Sequence, residues 1–152
     1  MKPGSALRHF LLALALALVG YAVLYGFVQH RRVARGPWLV TFTSASAVPA
    51  MVVDQPKLGI AEVRVTFPGN SAPANPAQSV AFSEARPVPF DLPFGKCVFL
   101  DPLFLPGTVA LEMFGHQIQL LPRVLTIDGR EHPWQSGATI VVTSTNAASH
   151  SP

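Results

Sequence analysis

Ala61-Glu62-Val63-Arg64-Val65-Thr66-Phe67 alternates between apolar and polar side chains from Glu62 onward. A period of two marks an extended strand, because successive side chains leave a strand on opposite sides. Val63, Val65 and Phe67 fall on one face; Glu62, Arg64 and Thr66 fall on the other. One buried and one wet face suits an antiparallel sheet, not the doubly covered sheet of an α/β fold. Pro68-Gly69 then stops the strand.

Outward from this stretch, short β-branched and aromatic runs recur. Upstream they cover residues 38–43 and 51–53, the latter closed by Asp54-Gln55-Pro56. Downstream they cover 79–84, 97–100, 108–114, 117–121, 123–127, 130–134 and 138–143. The segment 86–95 holds Pro87, Pro89 and Pro93, too many for the middle of a sheet, and reads as an extended edge. Thirteen of the 15 prolines lie from Pro37 to Pro133, which leaves little room for a long helix. The pattern predicts an all-β domain of about eight or nine strands: a single antiparallel β-sandwich, with a small barrel as second choice.

Two hairpin turns stand out. Asp128-Gly129 suits a type I′ turn, and Gly115-His116 suits a type II′ turn with glycine first. The expected core is Val65, Phe67, Phe82, Val98, Leu100, Leu111, Met113, Ile118, Leu120, Leu125, Ile127, Ile140 and Val142. Residues 68–78 form a long polar loop, and residues 144–152 a small, polar tail expected to be disordered.

A different kind of sequence precedes the domain. Phe10-Leu-Leu-Ala-Leu-Ala-Leu-Ala-Leu-Val-Gly-Tyr-Ala-Val-Leu-Tyr-Gly-Phe-Val28 carries no charge. As a helix it spans roughly 28 Å, the thickness of a bilayer's hydrocarbon core. It shows no polar face, unlike the core helix of a small soluble domain. A cleaved signal has a shorter apolar run and a small-x-small site. Gln29-His30-Arg31-Arg32 offers no such site, so one uncleaved transmembrane helix is expected. The organisation is then a short basic tail (1–9), the helix (10–28), a basic juxtamembrane link (29–36), the β-domain (37–143) and the tail (144–152).

Lys2 and Arg8 flank one end of the helix; Arg31, Arg32 and Arg35 flank the other. The positive-inside count is close to even, but a short basic tail before a first span tends to stay cytoplasmic. The domain is therefore expected outside the cytoplasm. The sequence pI near 9.5 comes from these flanks. The domain itself holds six basic residues against eight acidic ones, a formal charge of −2. That argues against nucleic acid as a partner and leaves the lipid bilayer as the partner of the basic flanks.

Chemical signatures are sparse. There is no Gly-x-Ser-x-Gly elbow, no glycine-rich phosphate loop and no paired Cys or His spacing. Cys97 sits in an apolar run, where a thiol is inert packing. Asp91 and Asp101 are ten apart with nothing to bring them together, and an Asp before Pro102 is a turn former. His116 falls in the predicted turn, where a histidine is solvated; His132 and His150 have no ligand-spaced neighbour. No enzyme, metal or cofactor is expected. The possible ligand or partner contacts are Trp38, Phe90, Phe94, Phe104 and Trp134, which lie at or near loops. Two functions follow as expectations. One is a non-enzymatic interaction or structural module of a cell envelope with a protein partner; the alternative is an extracytoplasmic domain that binds carbohydrate or a small ligand.

Overall fold

The computed structural model describes residues 3–44, 47–72 and 77–143. The tail 144–152, with His150, and residues 73–76 of the polar loop lie outside the described residues. The chain divides into two compact units, Met1–Ala34 and Arg35–Pro152.

The first unit is one helix, α1 (Pro3–Val33), which outruns the apolar stretch at both ends. Its span Gly4–Val33 contains an 18-residue window of mean hydropathy 2.3 and is long and apolar enough to cross a membrane. His30, Arg31 and Arg32 occupy its last turn, where cations complement the partial negative charge of the helix C-terminus. Gln29 donates its amide to the Tyr25 hydroxyl at 2.9 Å, and the Arg31 guanidinium lies over the Phe27 ring at 4.9 Å. The tyrosine pair Tyr21 and Tyr25 stacks at 6.2 Å between centroids.

Among the described residues the second unit is two sheets of 11 strands in all. The first contains β1 (Leu39–Thr43), β2 (Ala50–Gln55), β3 (Ile60–Thr66), β4 (Gln78–Ala81) and β11 (Thr139–Val141), in the order β11-β3-β2-β1-β4. The second is a meander of β5 (Phe90–Leu92), β6 (Gly95–Asp101), β7 (Thr108–Met113), β8 (His116–Leu120), β9 (Val124–Ile127) and β10 (Arg130–Pro133). Neither sheet closes into a barrel, so both keep two edges. The proline-rich segment supplies β5, an edge strand as expected. The only helical piece among the described residues of this unit is one 3-10 turn, Pro56–Leu58.

All pairings are antiparallel except β11 with β3, which is parallel. Short hairpin connections do not apply there. The chain leaves β10 in one sheet and crosses through 134–138 to the edge of the other. Gly137 N–H donates to the Ala61 carbonyl, and Arg64 N–H to that of Ala138, both at 2.9 Å. The strand β2 is longer than the run 51–53 expected for it. Asp54 and Gln55 still pair, across a register shift between Val53 and Gln55. The Asp54 carboxylate accepts from Glu62 N–H at 2.7 Å, where Glu62 has φ +52°.

One cluster of buried side chains draws on both sheets. It joins Trp38, Val40, Phe42, Met51, Val53, Val63, Val65 and Phe67 to Val109, Leu111, Met113, Ile118, Leu120 and Leu125. The alternation of β3 holds: Val63, Val65 and Phe67 are buried, and Glu62 and Arg64 are exposed. Of the expected core, Val98, Leu100 and Ile140 are not buried. The β6 pairing slips between Cys97 and Phe99, which breaks the period of two. Cys97 therefore points into the core and Phe99 is exposed. Ile140 lies on the edge strand β11.

The Asp128-Gly129 turn forms as expected, with φ of +49° and +78° between the paired Ile127 and Arg130. The other hairpin is corrected by one residue. Its turn is Phe114-Gly115, with φ of +51° and +81°, closed by the pair Met113 and His116. Positive φ at both positions is type I′, in which glycine takes the second place; His116 is thereby a strand residue. Gly129→Val should cost the fold about 1 kcal/mol or more, because a β-branched residue resists positive φ. Thermal unfolding of the full chain in detergent checks it: an unchanged melting temperature would contradict the turn.

Candidate functional site

The five aromatic candidates do not form one platform. Trp38 is fully buried and donates its indole N–H to the Gly107 carbonyl at 3.1 Å. Trp134 is half-buried, tilts against Trp38 at 5.2 Å between centroids, and donates its indole N–H to the Leu121 carbonyl at 2.8 Å. Phe94 packs edge-on to Phe42 at 5.7 Å and stacks on Phe114 at 5.8 Å. Trp38 and Phe42 are four residues apart on an extended segment, roughly 13 Å. The Trp134 and Phe94 rings are thus held at different places along it. Phe90 lies under the Arg86 guanidinium at 5.6 Å, beside a shallow groove lined also by Val80, Phe82 and Leu100. Only Phe104, on the loop 102–107, is largely exposed, at 55%. The faces that would stack on a sugar are mostly spent on other rings.

The structure instead brings together two residues that nothing in the sequence marks as a pair. His116 is 1% exposed, contrary to the solvated turn histidine expected. The slip of the turn by one residue puts it on β8, facing inward beside Phe67. Its Nδ1 donates to Asp128 Oδ2 at 2.6 Å. Asp128 Oδ1 accepts from Gln117 N–H at 2.9 Å, and Asp128 N–H donates to the Gln117 carbonyl at 2.8 Å. A single aspartate thus ties the β9–β10 turn to the start of β8. A neighbouring groove, lined by Asp128, Arg130, His132 and the β11 residues Ile140 and Val141, holds about 50 Å³. That is room for a water or two, against the hundreds of Å³ of a metabolite pocket. The hydrogen bonds of the His116–Asp128 pair fasten the β9–β10 turn to β8.

A second fastening is Gln55, also buried. Its amide nitrogen lies 3.0, 2.8 and 3.0 Å from the carbonyl oxygens of Arg35, Gly36 and Pro37, to which its two N–H groups donate. Its Oε1 accepts from Lys57 N–H at 3.0 Å. One side chain therefore holds the chain just before Trp38 against the end of β2. The sequence signal for it is slight: a Gln before Pro56, which by itself marks only the end of a strand.

Cys97 is a free, buried thiol that donates weakly to the Phe99 carbonyl at 3.4 Å. Burial pushes its pKa up, with the Phe99 hydrogen bond acting in the opposite sense. A raised pKa means less thiolate at any given pH, and the thiolate is the nucleophile. The folded chain should therefore react with a disulfide reagent at pH 8 at least tenfold more slowly than the chain in guanidinium. Equal rates would contradict this environment. Asp91 and Asp101 lie on neighbouring strands, β5 and β6, where Asp91 pairs with Lys96 and Asp101 with Thr108. The Asp101 carboxylate accepts from Leu103 N–H at 3.0 Å, the turn-forming role expected of it. Among the described residues no three His, Cys, Asp or Glu side chains gather where a metal ion could be held.

No known protein family, characterised protein or solved structure matches the chain.

Proposed function

We propose that the chain is a single-pass membrane protein whose β-domain, a two-layer sandwich, serves as a non-enzymatic interaction or structural module on the extracytoplasmic side of a cell envelope. The observation that carries the reading is α1: a span of 30 residues containing an 18-residue apolar window of mean hydropathy 2.3, none of it buried, ended by a basic turn. Exposed apolar surface on this scale is stable only when something apolar covers it. The sandwich reading is supported by the single core cluster drawn from both sheets. The module reading is supported by how the polar groups are used. The His116–Asp128 pair, Gln55 and both indole N–H groups hold the fold together.

Two experiments test it. Alkaline carbonate should leave the full-length chain in the membrane pellet, and its release would refute the anchor. A phosphatase fused at Pro152 should be active only if the domain is exported. A silent phosphatase beside a bright cytoplasmic reporter at the same position would reverse the orientation.

A further inference from the structure

The strand directions gather five connecting segments at the end of the β-domain where the chain joins it from α1. Residues 35–38 are held there by Gln55 and lead into β1. The 3-10 turn Pro56–Leu58 follows β2, which runs antiparallel to β1 and returns to that end. The loop 102–107 touches Trp38 through Gly107. The turn 121–124 touches Trp134 through Leu121, and Trp134 leans on Trp38. The crossing segment 134–138 follows, with Ser136 Oγ donating to the Gly59 carbonyl at 2.9 Å.

The composition of this end departs from that of the domain. Across the five segments the charged residues are Arg35, Lys57 and Arg123, all basic, although the domain as a whole is acidic by two. The connection 82–89, which also begins at this end, adds Glu84 and Arg86, which cancel. Leu103 and Phe104, adjacent on the loop 102–107, are 56% and 55% exposed, and Leu39 at the start of β1 is 39% exposed. Two exposed bulky apolar residues lie on the loop 102–107, and the segments beside it carry the three cations. The strand-end acids here, Asp54 and Asp101, have their carboxylates engaged by Glu62 N–H and Leu103 N–H and leave a small basic surplus. This combination matches a bilayer's interfacial layer. There apolar and aromatic side chains meet acyl chains and basic ones meet phosphate. Only Ala34 and Arg35 separate the last helical residue, Val33, from Gly36, so this end lies within about 10 Å of chain from the end of α1.

We infer that the loop 102–107 inserts Leu103 and Phe104 into the headgroup layer of the membrane that α1 spans, with Arg35, Lys57 and Arg123 on anionic phospholipid. The domain then rests on the lipid surface as a second point of attachment. The inference rests on the anchor reading of α1.

The test uses the full chain with Cys97→Ala, reconstituted in vesicles of phosphatidylcholine with phosphatidylglycerol. An environment-sensitive fluorophore is attached at one introduced cysteine at a time, and lipid carrying a nitroxide on its acyl chain is the quencher. Leu18→Cys reports the anchor, Phe104→Cys and Leu103→Cys report the loop, and Val48→Cys reports a connection beyond the far end of β1. Expected are strong quenching at Leu18→Cys, at least twofold loss of emission at both loop positions, and none at Val48→Cys. Removing the phosphatidylglycerol should weaken the loop signal; a loop signal indifferent to lipid charge overturns the role given to the three cations. Quenching at Leu18→Cys without quenching at either loop position overturns the inference and leaves the anchor standing. No quenching at Leu18→Cys overturns the anchor reading itself.

Discussion

Gly107→Ala should lower the melting temperature of the β-domain by about 10 °C or more, corresponding to roughly 3 kcal/mol. Two costs add at this position. Gly107 has φ +67°, a left-handed conformation that costs an alanine on the order of 1 kcal/mol or more. An added Cβ would also collide with the backbone carbonyl of Asp101, across the loop that Gly107 closes. Backbone cannot swing aside as a flexible side chain can, so β6 and β7 would have to part. The Gly107 carbonyl is also the acceptor for Trp38, so the disturbance reaches the largest buried ring. Gly115→Ala is the control. It has φ +81°, but a methyl group added there would meet nothing within 4 Å, and the loss should be only about 1 kcal/mol. Equal losses in the two variants, read by thermal unfolding of the full chain in detergent, would contradict the close approach at Gly107.

Asp128→Ala should destabilise the fold by about 2–4 kcal/mol, chiefly the cost of stranding a buried donor, the His116 ring N–H, that had a charged acceptor. It removes the acceptor of His116 Nδ1, a ring that is almost fully buried, and of Gln117 N–H. It also replaces a residue at φ +49°, a conformation Asp and Asn tolerate better than Ala does. Asp128→Asn keeps an oxygen for Gln117 and the tolerance of positive φ, and should lose about half as much. Denaturant unfolding of both variants checks the order. If Asn is as damaging as Ala, the geometry of the pair matters less than its charge.

What is legible in the sequence is what depends on neighbours along the chain. The alternation of residues 62–67, the Asp128-Gly129 turn and the apolar length of α1 are local patterns, and each reappears in the structure. What is illegible depends on partners far away. The parallel pairing of β11 with β3 joins residues 75 apart, such as Ile140 and Val65, and no turn signal announces it. The slip in β6 moves Cys97 inward and Phe99 outward; a bulge leaves no mark in a run of apolar residues. The candidate site is the least legible part. Trp38 and Trp134 resemble surface aromatics because they lie next to loops, yet their rings pack against each other. His116 reads as solvated only when the turn is placed one residue late. Ile118 and Leu120 keep the buried face expected of them, and His116, two residues before Ile118, shares it.

The Gln55 clasp has a mechanical consequence. In a chain anchored through α1, any tug between membrane and domain arrives at residues 35–37 and passes into β1. That strand has β2 on one side and β4 on the other. The pull is therefore shared first by the hydrogen bonds of one glutamine and then by two rows of strand pairing loaded side by side. Peeling an edge strand breaks its bonds one after another; drawing out an interior strand must break many at once. A pull on residues 35–37 therefore meets an interior strand and not an edge.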